Sequence, residues 1–385
     1  MLKKIIVIDH EPFSERKMDH YYSKEFEKDN IIFEYWQVNN ILNYSKNVHY
    51  NYNDKNINVV KFRSFKDFLS SVENQNAKNT LFIIEIWSNF QTRKLFWKLA
   101  NKNFKWVRIN YYLNPDLILE NKKIINTSIV SIKNFISKFK NFFFRFYYFI
   151  NKNIFTPHIL FVTGEDKSLV DFRTKIISLD FFDVIEFYQN KDEDALLDYE
   201  YIVFIDGMIL EHPDYCRNSD VEFLQDRQTF FKKLNTFFSE IEKEMGLPVV
   251  IACHPKSNYD CEFEHRLLIK DKTCNLVSNA TLVLTHGSLS IDFALLSKKP
   301  IIYVNYKSFF DKIPYLKYLS NRIINACSYI GSDYYDLEKF NFHNLNLEID
   351  EVKYKNFLDL YYRKNSKESN YFIVKCNFQK LLNEN

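Results

Sequence analysis

One stretch of this chain, Leu247–Val304, holds two strand-like apolar runs that each end in a small polar cluster. The two clusters are His254-Pro255-Lys256 and Thr285-His286-Gly287-Ser288-Leu289-Ser290. The second cluster opens a segment of helical type, and a third strand-like run, PIIYV, follows it. Fully apolar strands that alternate with helices are typical of parallel sheets covered on both faces. The stretch therefore predicts an α/β fold in which polar side chains meet at the carboxyl edge of a sheet.

The same alternation extends over the rest of the chain in two series. The first series has predicted strands at Lys4–Ile8, Ile31–Trp36, Val59–Phe62, Thr80–Ile86 and Trp106–Tyr111, and helices at Phe65–Glu73 and Thr92–Ala100. The second has strands at Ile159–Thr163, Lys175–Leu179, Tyr201–Ile205, Pro248–Cys253, Thr281–Leu284 and Ile301–Val304, and a long helix at Phe223–Met245 closed by Gly246. A length of 385 residues fits two domains. We predict Rossmann-like domains over residues 1–155 and 156–345, followed by a helical segment over 346–385.

Composition narrows the class of protein. The formal net charge of +3 does not support a nucleic-acid partner, and the six cysteines show neither CxxC pairs nor metal-ligand spacing. We therefore expect reduced thiols, no metal and no nucleic acid. The N-terminal sequence has no signal-peptide pattern, and no uncharged run approaches the roughly 20 residues that a membrane span needs. These features predict a cytoplasmic location.

A long helix is predicted over Ser128–Lys152, where apolar residues recur every three or four positions and Lys and Arg lie among or opposite them. Two interpretations stay open. The helix can pack on the sheet through its apolar face and expose its cations to water. Alternatively, it can form a basic, aromatic surface that rests on an anionic membrane or on a lipid-linked acceptor.

The segment Gly287-Ser288-Leu289-Ser290 has the residue types of an anion site. Gly287 lets the backbone turn and approach a ligand, and Ser288 is a good N-cap for the helix predicted after it. The N–H groups at a helix start attract an anion, and two hydroxyls can add hydrogen bonds to phosphate oxygens. No GK[ST] sequence follows, which argues against a P-loop. A serine cap without a ligand is the simpler alternative.

The His254-Pro255-Lys256 turn is a second candidate. Proline keeps the residue before it extended, so the imidazole is expected at the carboxyl edge of the sheet. Histidine can hydrogen-bond a leaving phosphate, and Lys256 can add a positive charge. The alternative is that His254 is a structural histidine at a strand end. This alternative is disfavoured because His254 is predicted in the same sheet as the serine cluster.

Two further groups can supply a proton acceptor. Asp206-Gly207 ends a predicted strand and His212 follows in a loop, and a carboxylate with an imidazole suits general-base work on a hydroxyl. Asp9-His10-Glu11 ends the first predicted strand and would point into a cleft between two facing domains. The alternatives are ordinary turn chemistry for the first group and a polar loop for the second.

The strand that ends in HPK and the segment THGSLSIDFALLSKKPIIYV resemble the C-terminal half of bacterial surface-polysaccharide glycosyltransferases of the GT-B fold. They are similar to the capsule and lipooligosaccharide sialyltransferases, polysialyltransferases and Kdo transferases, which use CMP-activated sugar acids. The resemblance covers roughly Tyr201–Val304. It implies that His254 contacts the donor phosphate, that Ser288 and Ser290 bind it, and that Asp206 is the base.

One departure from that family keeps other bases open. Position 205 is Ile where the family has a second acidic residue, which leaves His212, His10 and Glu11 as rivals to Asp206. The catalytic candidates are therefore Asp206, His254, His212 and Glu11. The candidate nucleotide-binding residues are His254, Pro255, Lys256, His286, Gly287, Ser288 and Ser290.

The resemblance implies a two-domain GT-B transferase with no metal and no cofactor beyond its nucleotide-sugar donor. The donor is expected to be CMP-linked, carrying a sialic acid-like sugar or Kdo, and the acceptor to be a glycan or lipid-linked glycan of a capsule, lipooligosaccharide or O-antigen. Peripheral contact with the inner face of the cell membrane is expected. Two alternatives remain. The serine segment also resembles teichoic-acid polymerases, which implies a CDP-polyol phosphotransferase, and the fold can serve a non-catalytic polysaccharide assembly protein.

Overall fold

The computed structural model describes residues 2–42, 57–110, 147–163, 174–190, 192–210, 227–288, 290–312, 314–342, 345, 347–361 and 368–384. Within these ranges the chain forms two parallel β-sheets flanked by helices. The predicted α/β class is confirmed. His212 and most of the predicted helix Ser128–Lys152 lie outside the described residues.

The first sheet is built from β1 Lys4–Asp9, β2 Ile32–Gln37, β3 Asn58–Lys61, β4 Thr80–Ile84, β5 Lys105–Asn110, β6 Ile159–Thr163 and β7 Lys175–Leu179. Its helices are α1 Glu15–His20, α2 Ser23–Lys28, α3 Asn39–Leu42, α4 Phe65–Glu73, α5 Arg93–Asn101 and α6 Lys152–Phe155. The strand order is β3-β2-β1-β4-β5-β6-β7, and all pairs are parallel. Along β1, Ile5 and Val7 enter one core while Ile6 and Ile8 enter the other, which explains why the strand is apolar throughout.

The second sheet is built from β8 Ile202–Ile205, β9 Val249–Cys253, β10 Leu268–Lys270, β11 Leu282–Thr285, β12 Ile301–Asn305 and β13 Asp333–Asp336. Its helices are α7 Phe182–Asn190, α8 Arg227–Met245, α9 Thr273–Asn279, α10 Ile291–Leu296, α11 Lys307–Phe310, α12 Pro314–Ile330 and α13 Glu351–Tyr361. The parallel strand order is β10-β9-β8-β11-β12-β13. Gly246 has φ +67° and its N–H donates to the Glu242 carbonyl at 2.8 Å, so it closes α8 as the sequence predicted.

β6 and β7 lie in the first sheet, whereas their sequence pattern had predicted both in the second domain. Val107 of β5 pairs with Ile159 of β6, and Val162 of β6 pairs with Ser178 of β7. The boundary predicted between residues 155 and 156 therefore falls inside the first sheet. The composition of an apolar strand does not show which parallel sheet it joins, because strands of both sheets are buried on both faces.

The terminal segment, predicted as one helical stretch, forms two helices that pack on different sheets. α13 contacts α10 and α12 of the second sheet. α14, Asn370–Asn383, returns to the first sheet, where the Phe378 ring lies 5.9 Å from that of Phe26 and 5.8 Å from that of Phe161. Lys375 Nζ lies 2.6 Å from Asp29 Oδ2 of the same domain. The last helix therefore completes the first domain.

Each sheet has one point at which the order of its strands reverses. In the first sheet β1 and β4 flank this point, and in the second sheet β8 and β11 flank it. Such a switch point leaves a crevice at the carboxyl ends of the two strands, where open α/β sheets bind ligands. Asp9 ends β1 and Glu85 follows β4, while Asp206 follows β8 and His286 follows β11.

Within the helix predicted over Ser128–Lys152, residues 147–150 are helical. In the described part of the chain, no helix combines the length and the apolar character that crossing a membrane requires.

Candidate active site

Asp206 lies at the switch point of the second sheet and is only 4% exposed. Its Oδ1 accepts a hydrogen bond from the Met208 N–H at 2.9 Å, and its Oδ2 accepts one from the Tyr259 hydroxyl at 2.7 Å. The His254 N–H is a third, longer donor to Oδ2 at 3.4 Å. Burial alone would raise the pKa of this carboxyl, but His286, the Met208 N–H and the Tyr259 hydroxyl hold it below its usual value. This environment favours an anchoring role over the role of base that the resemblance implied, because a well-bonded carboxylate is a weak proton acceptor.

His286 is buried at the end of β11, next to Asp206. Its Nε2 accepts a hydrogen bond from the Gly207 N–H at 2.7 Å and lies 3.6 Å from Asp206 Oδ1. The ring also packs edge-on against Phe204, with centroids 4.9 Å apart. One imidazole therefore joins the ends of the two strands that flank the switch point.

Gly207→Ala is expected to disturb this junction. A Cβ at position 207 would lie 3.1 Å from both Cδ2 and Nε2 of His286, and the closely packed interior leaves the ring little room to move. Overpacking of this kind costs about 1–3 kcal/mol of stability. We expect a lower urea-unfolding midpoint together with shifted NMR signals of the His286 ring.

Gly246→Ala is the matched control for that variant. Its added Cβ meets no neighbour within 4 Å, so only its φ of +67° introduces strain. This change should cost about 1–2 kcal/mol and leave the His286 signals unchanged. If Gly207→Ala also leaves the His286 signals unchanged, the expected clash between position 207 and the His286 ring is wrong.

His254 follows β9, the strand next to β8. Its Nδ1 accepts a hydrogen bond from the Lys256 N–H at 3.1 Å, which assigns the proton of the neutral ring to Nε2. The Ser257 hydroxyl donates to the His254 carbonyl at 2.8 Å and closes the turn. Pro255 and Lys256 are exposed at its tip. The turn therefore starts beside Asp206, with the His254 imidazole on it and Lys256 exposed at its tip.

The serine cluster differs locally from the prediction. Thr285 Oγ1 accepts hydrogen bonds from the N–H groups of Gly287 and Ser288, both at 3.2 Å, and Ser288 Oγ accepts one from the Ser290 N–H at 3.3 Å. α10 begins at Ile291 with Ser290, not Ser288, as its N-cap, and Ser290 makes no side-chain cap bond. Gly287 has φ +101°, a conformation that favours glycine. A phosphate at this turn would compete with Thr285 for the first two N–H groups.

The corresponding edge of the first sheet carries two carboxylates around one lysine. Lys17 Nζ of α1 lies 2.7 Å from Asp9 Oδ2 and 2.9 Å from Glu11 Oε2. Burial would raise the pKa of both carboxyls, but Lys17 holds each below its usual value. Lys256 of the second sheet also lowers the pKa of Glu11, so the HPK turn lies within electrostatic range of the end of β1. The structure thus brings together two sequence candidates from different domains.

Three residues at these edges were not predicted from the sequence: Lys17, Tyr259 and Glu85. Lys17 and Tyr259 lie in segments whose partners are distant along the chain, so no local pattern marks them. Glu85 interrupts the apolar run predicted as strand Thr80–Ile86, and this isolated charge was a signal that could have found it. Among the described residues, no group of three or more His, Cys, Asp or Glu is arranged to hold a metal ion.

No protein-family model matches this sequence, and no curated protein matches it. Solved structures match its fold, and the following three are among them. The Spinosyn Forosaminyltransferase SpnP has a TM-score of 0.51 at 13% identity, over 99% of this chain and 100% of that one. A variant of the Wall Teichoic Acid Polymerase TagF has a TM-score of 0.53 at 13% identity, and the match covers 99% of this chain and 90% of that one. The Calicheamicin Glycosyltransferase CalG4 has a TM-score of 0.50 at 10% identity, and the match covers 93% of this chain and 92% of that one. With two Rossmann-like sheets, this likeness defines a GT-B type fold.

Proposed function

We propose that this protein is a glycosyltransferase whose donor is a CMP-linked sugar acid, of the sialic acid or Kdo type, and whose acceptor is a surface glycan. The observation that carries the proposal is the convergence of Asp206, His254 and His286 from three neighbouring strands. Lys256, in the same turn as His254, lies within electrostatic range of Glu11 of the other domain. SpnP and CalG4, which share the fold, are named as sugar transferases, which supports the same class.

The proposed mechanism assigns the leaving group to the second sheet. The acceptor hydroxyl attacks the anomeric carbon, and CMP leaves with the electrons of the broken bond. The His254 Nε2–H donates to the phosphate and Lys256 adds a positive charge, so the developing charge is stabilised as it forms. In this mechanism Asp206 holds the His254 turn and His286 in position, through the His254 N–H and through its proximity to His286. It takes no part in the proton transfer.

Calorimetric titration with CMP, CDP, UDP and GDP tests the donor assignment. Preference for the cytidine nucleotides supports it, because the proposed donor carries CMP. Preference for UDP overturns the cytidine assignment while leaving a glycosyltransferase. Absence of binding by all four nucleotides favours the non-catalytic assembly protein.

A CDP-polyol phosphotransferase is the second candidate, favoured by the fold likeness to a teichoic acid polymerase at a TM-score of 0.53. The mass of the product separates the two reactions. Transfer from a CMP-sugar adds a glycosyl unit to the acceptor, whereas transfer from CDP-glycerol adds glycerol phosphate. CMP is released in both, so nucleotide release alone cannot distinguish them.

A basic groove on the first domain supports contact with an anionic membrane. The groove has a volume of about 580 Å³, and its lining residues are Leu69, Glu73, Arg93, Lys94, Trp97, Lys98, Asn101, Lys102 and Tyr147. Phe149 and Ile150, close to Tyr147 in the chain, are 70% and 64% exposed. Cations beside exposed apolar side chains suit phospholipid headgroups and acyl chains.

The double variant Lys94→Ala/Lys102→Ala is expected to weaken binding to vesicles that contain phosphatidylglycerol. Each lysine near such a surface contributes about 1 kcal/mol, so two should lower the partition coefficient by roughly 30-fold in co-sedimentation. The matched control is Lys232→Ala/Lys243→Ala on α8, which should bind like the wild type. Equal binding of wild-type protein to pure phosphatidylcholine vesicles would contradict the electrostatic contribution.

A further inference from the structure

Glu85 occupies the switch point of the first sheet. Its N–H donates to the Ile8 carbonyl at 2.9 Å, which keeps the end of β4 beside the end of β1. Its Oε1 accepts a hydrogen bond from the Ile109 N–H at 2.9 Å, and its Oε2 lies 3.9 Å from Arg108 Nε. The carboxyl group is thus held between three strands at the edge that also carries Glu11.

Arg108 neutralises Glu85 only in part, because its guanidinium has other partners. Its Nε donates to the Ile84 carbonyl at 3.3 Å and its Nη2 donates to the Ile86 carbonyl at 2.8 Å. The guanidinium also lies over the Trp87 ring, 5.2 Å from the centroid. The Glu85 carboxyl therefore keeps one firm donor, the Ile109 N–H, and the electrostatic influence of two cations, Arg108 and Lys17.

The surroundings of Glu85 differ from those of Glu11. Burial, the largest influence, raises the pKa of Glu85 to about 7 against the effects of Arg108 and the Ile109 N–H. The titratable groups that face it are Asp9, Lys17, Tyr21, Tyr35 and Arg108. A carboxyl group that titrates near neutral pH can take up and release a proton during turnover. Glu11 is less suited, because Lys17 holds it ionised.

Trp87, two residues after Glu85, is 66% exposed. A large aromatic ring with this exposure is unusual, since tryptophan is highly buried on average. Arg108 lies over the Trp87 ring, and its Nε also lies 3.9 Å from Glu85 Oε2, so the same guanidinium group interacts with both residues. The rest of the ring is an exposed, amphipathic platform. Such a platform fits a sugar ring, whose C–H groups are apolar and whose hydroxyls are polar.

We propose that Glu85 and Trp87 form the acceptor subsite, in which Trp87 carries the acceptor sugar ring and Glu85 takes the proton of its attacking hydroxyl. This inference rests on the proposed glycosyl transfer. The hydroxyl oxygen forms a bond to the anomeric carbon, the bond from that carbon to the CMP phosphate breaks, and its electrons leave with CMP. The hydroxyl proton goes to Glu85, which then releases it to water.

Glu85→Gln tests the proton transfer with CMP-N-acetylneuraminic acid and CMP-Kdo as donors and a fluorescent lactoside as acceptor. The amide keeps the size of the side chain and an oxygen for the Ile109 N–H, but it has no basic carboxylate. We expect about 100-fold slower transfer, loss of the rise in rate through about pH 7, and unchanged nucleotide affinity. Glu11→Gln is the matched variant and should keep that rise with pH.

Trp87→Ala tests the platform. We expect the KM for the lactoside to rise about tenfold while nucleotide affinity stays unchanged, and Trp87→Phe to restore part of the loss. Tyr188→Ala removes another exposed aromatic ring, on α7, and should leave this KM unchanged.

The outcomes separate this inference from the proposed function. An active wild type whose Glu85→Gln variant keeps the rate and the rise with pH overturns the role of Glu85. Equal acceptor KM in the wild type and Trp87→Ala overturns the platform. A wild type that transfers no sugar from either donor overturns the proposed function, and the acceptor subsite with it.

Discussion

His254→Ala is expected to lower turnover by about 100- to 1000-fold while the fold survives. The imidazole carries its proton on Nε2, because Nδ1 accepts the Lys256 N–H at 3.1 Å. Loss of one preorganised donor to a developing negative charge typically costs about 3–4 kcal/mol of transition-state stabilisation. The measurement is kcat for sugar transfer, with the urea-unfolding midpoint recorded for each variant.

Two other substitutions of His254 distinguish the role of its Nδ1 from the role of its Nε2. An asparagine places an acceptor near the Nδ1 position but offers no donor at the Nε2 position, so His254→Asn should keep the turn and lose turnover. A glutamine amide reaches further, so His254→Gln should recover part of the rate. The exposed His265, also after β9, supplies the control His265→Ala with unchanged kcat. Turnover near that of the wild type in His254→Ala would refute the role of His254.

Asp206→Ala is expected to destabilise the protein by about 2–5 kcal/mol at neutral pH. Removing this buried carboxylate leaves the Met208 N–H and the Tyr259 hydroxyl without their acceptor. Each buried donor left without a partner costs about 1–3 kcal/mol. Urea unfolding monitored by circular dichroism gives the free energy directly. Asp192→Ala, which removes an exposed carboxylate, is the control and should lie within about 0.5 kcal/mol of the wild type.

The pH dependence of this effect has a definite sign. The pKa of Asp206 is lower in the folded protein than its usual value of 3.8, so its stabilising contribution is present above about pH 4. That contribution is lost as the pH falls through the folded-state pKa. The stabilities of the wild type and Asp206→Ala should therefore converge in acid. A difference that stays constant down to pH 3 would show that Asp206 acts through packing and not through its charge.

Most strands of the two sheets could be predicted because their signal is local. β10 and β13 were not predicted, because β10 has only three residues and β13, with the sequence DYYD, is not an apolar run. β9, β11 and β12 are continuous apolar runs between turn residues, and each lies within two residues of its predicted position. The closing of α8 at Gly246 was predictable for the same reason, since only glycine adopts the required conformation without strain. The assignment of β6 and β7 to the second domain failed because strand pairing is a long-range property that composition does not record.

Hydrophobic pattern and turn chemistry act over a few residues, so the amino-acid sequence was enough to predict an α/β protein in which polar clusters follow several strands. Which of these clusters meet depends on how the strands are ordered in the folded protein. The Gly207 N–H donates to His286, which lies 79 positions further along the chain. Lys256 lies within electrostatic range of Glu11 of the other domain. The order of the strands, not the spacing of the motifs, placed Asp206 and Glu85 at the two switch points. The charge state of each carboxyl follows from that placement, since burial and neighbouring cations arise only when distant segments pack together.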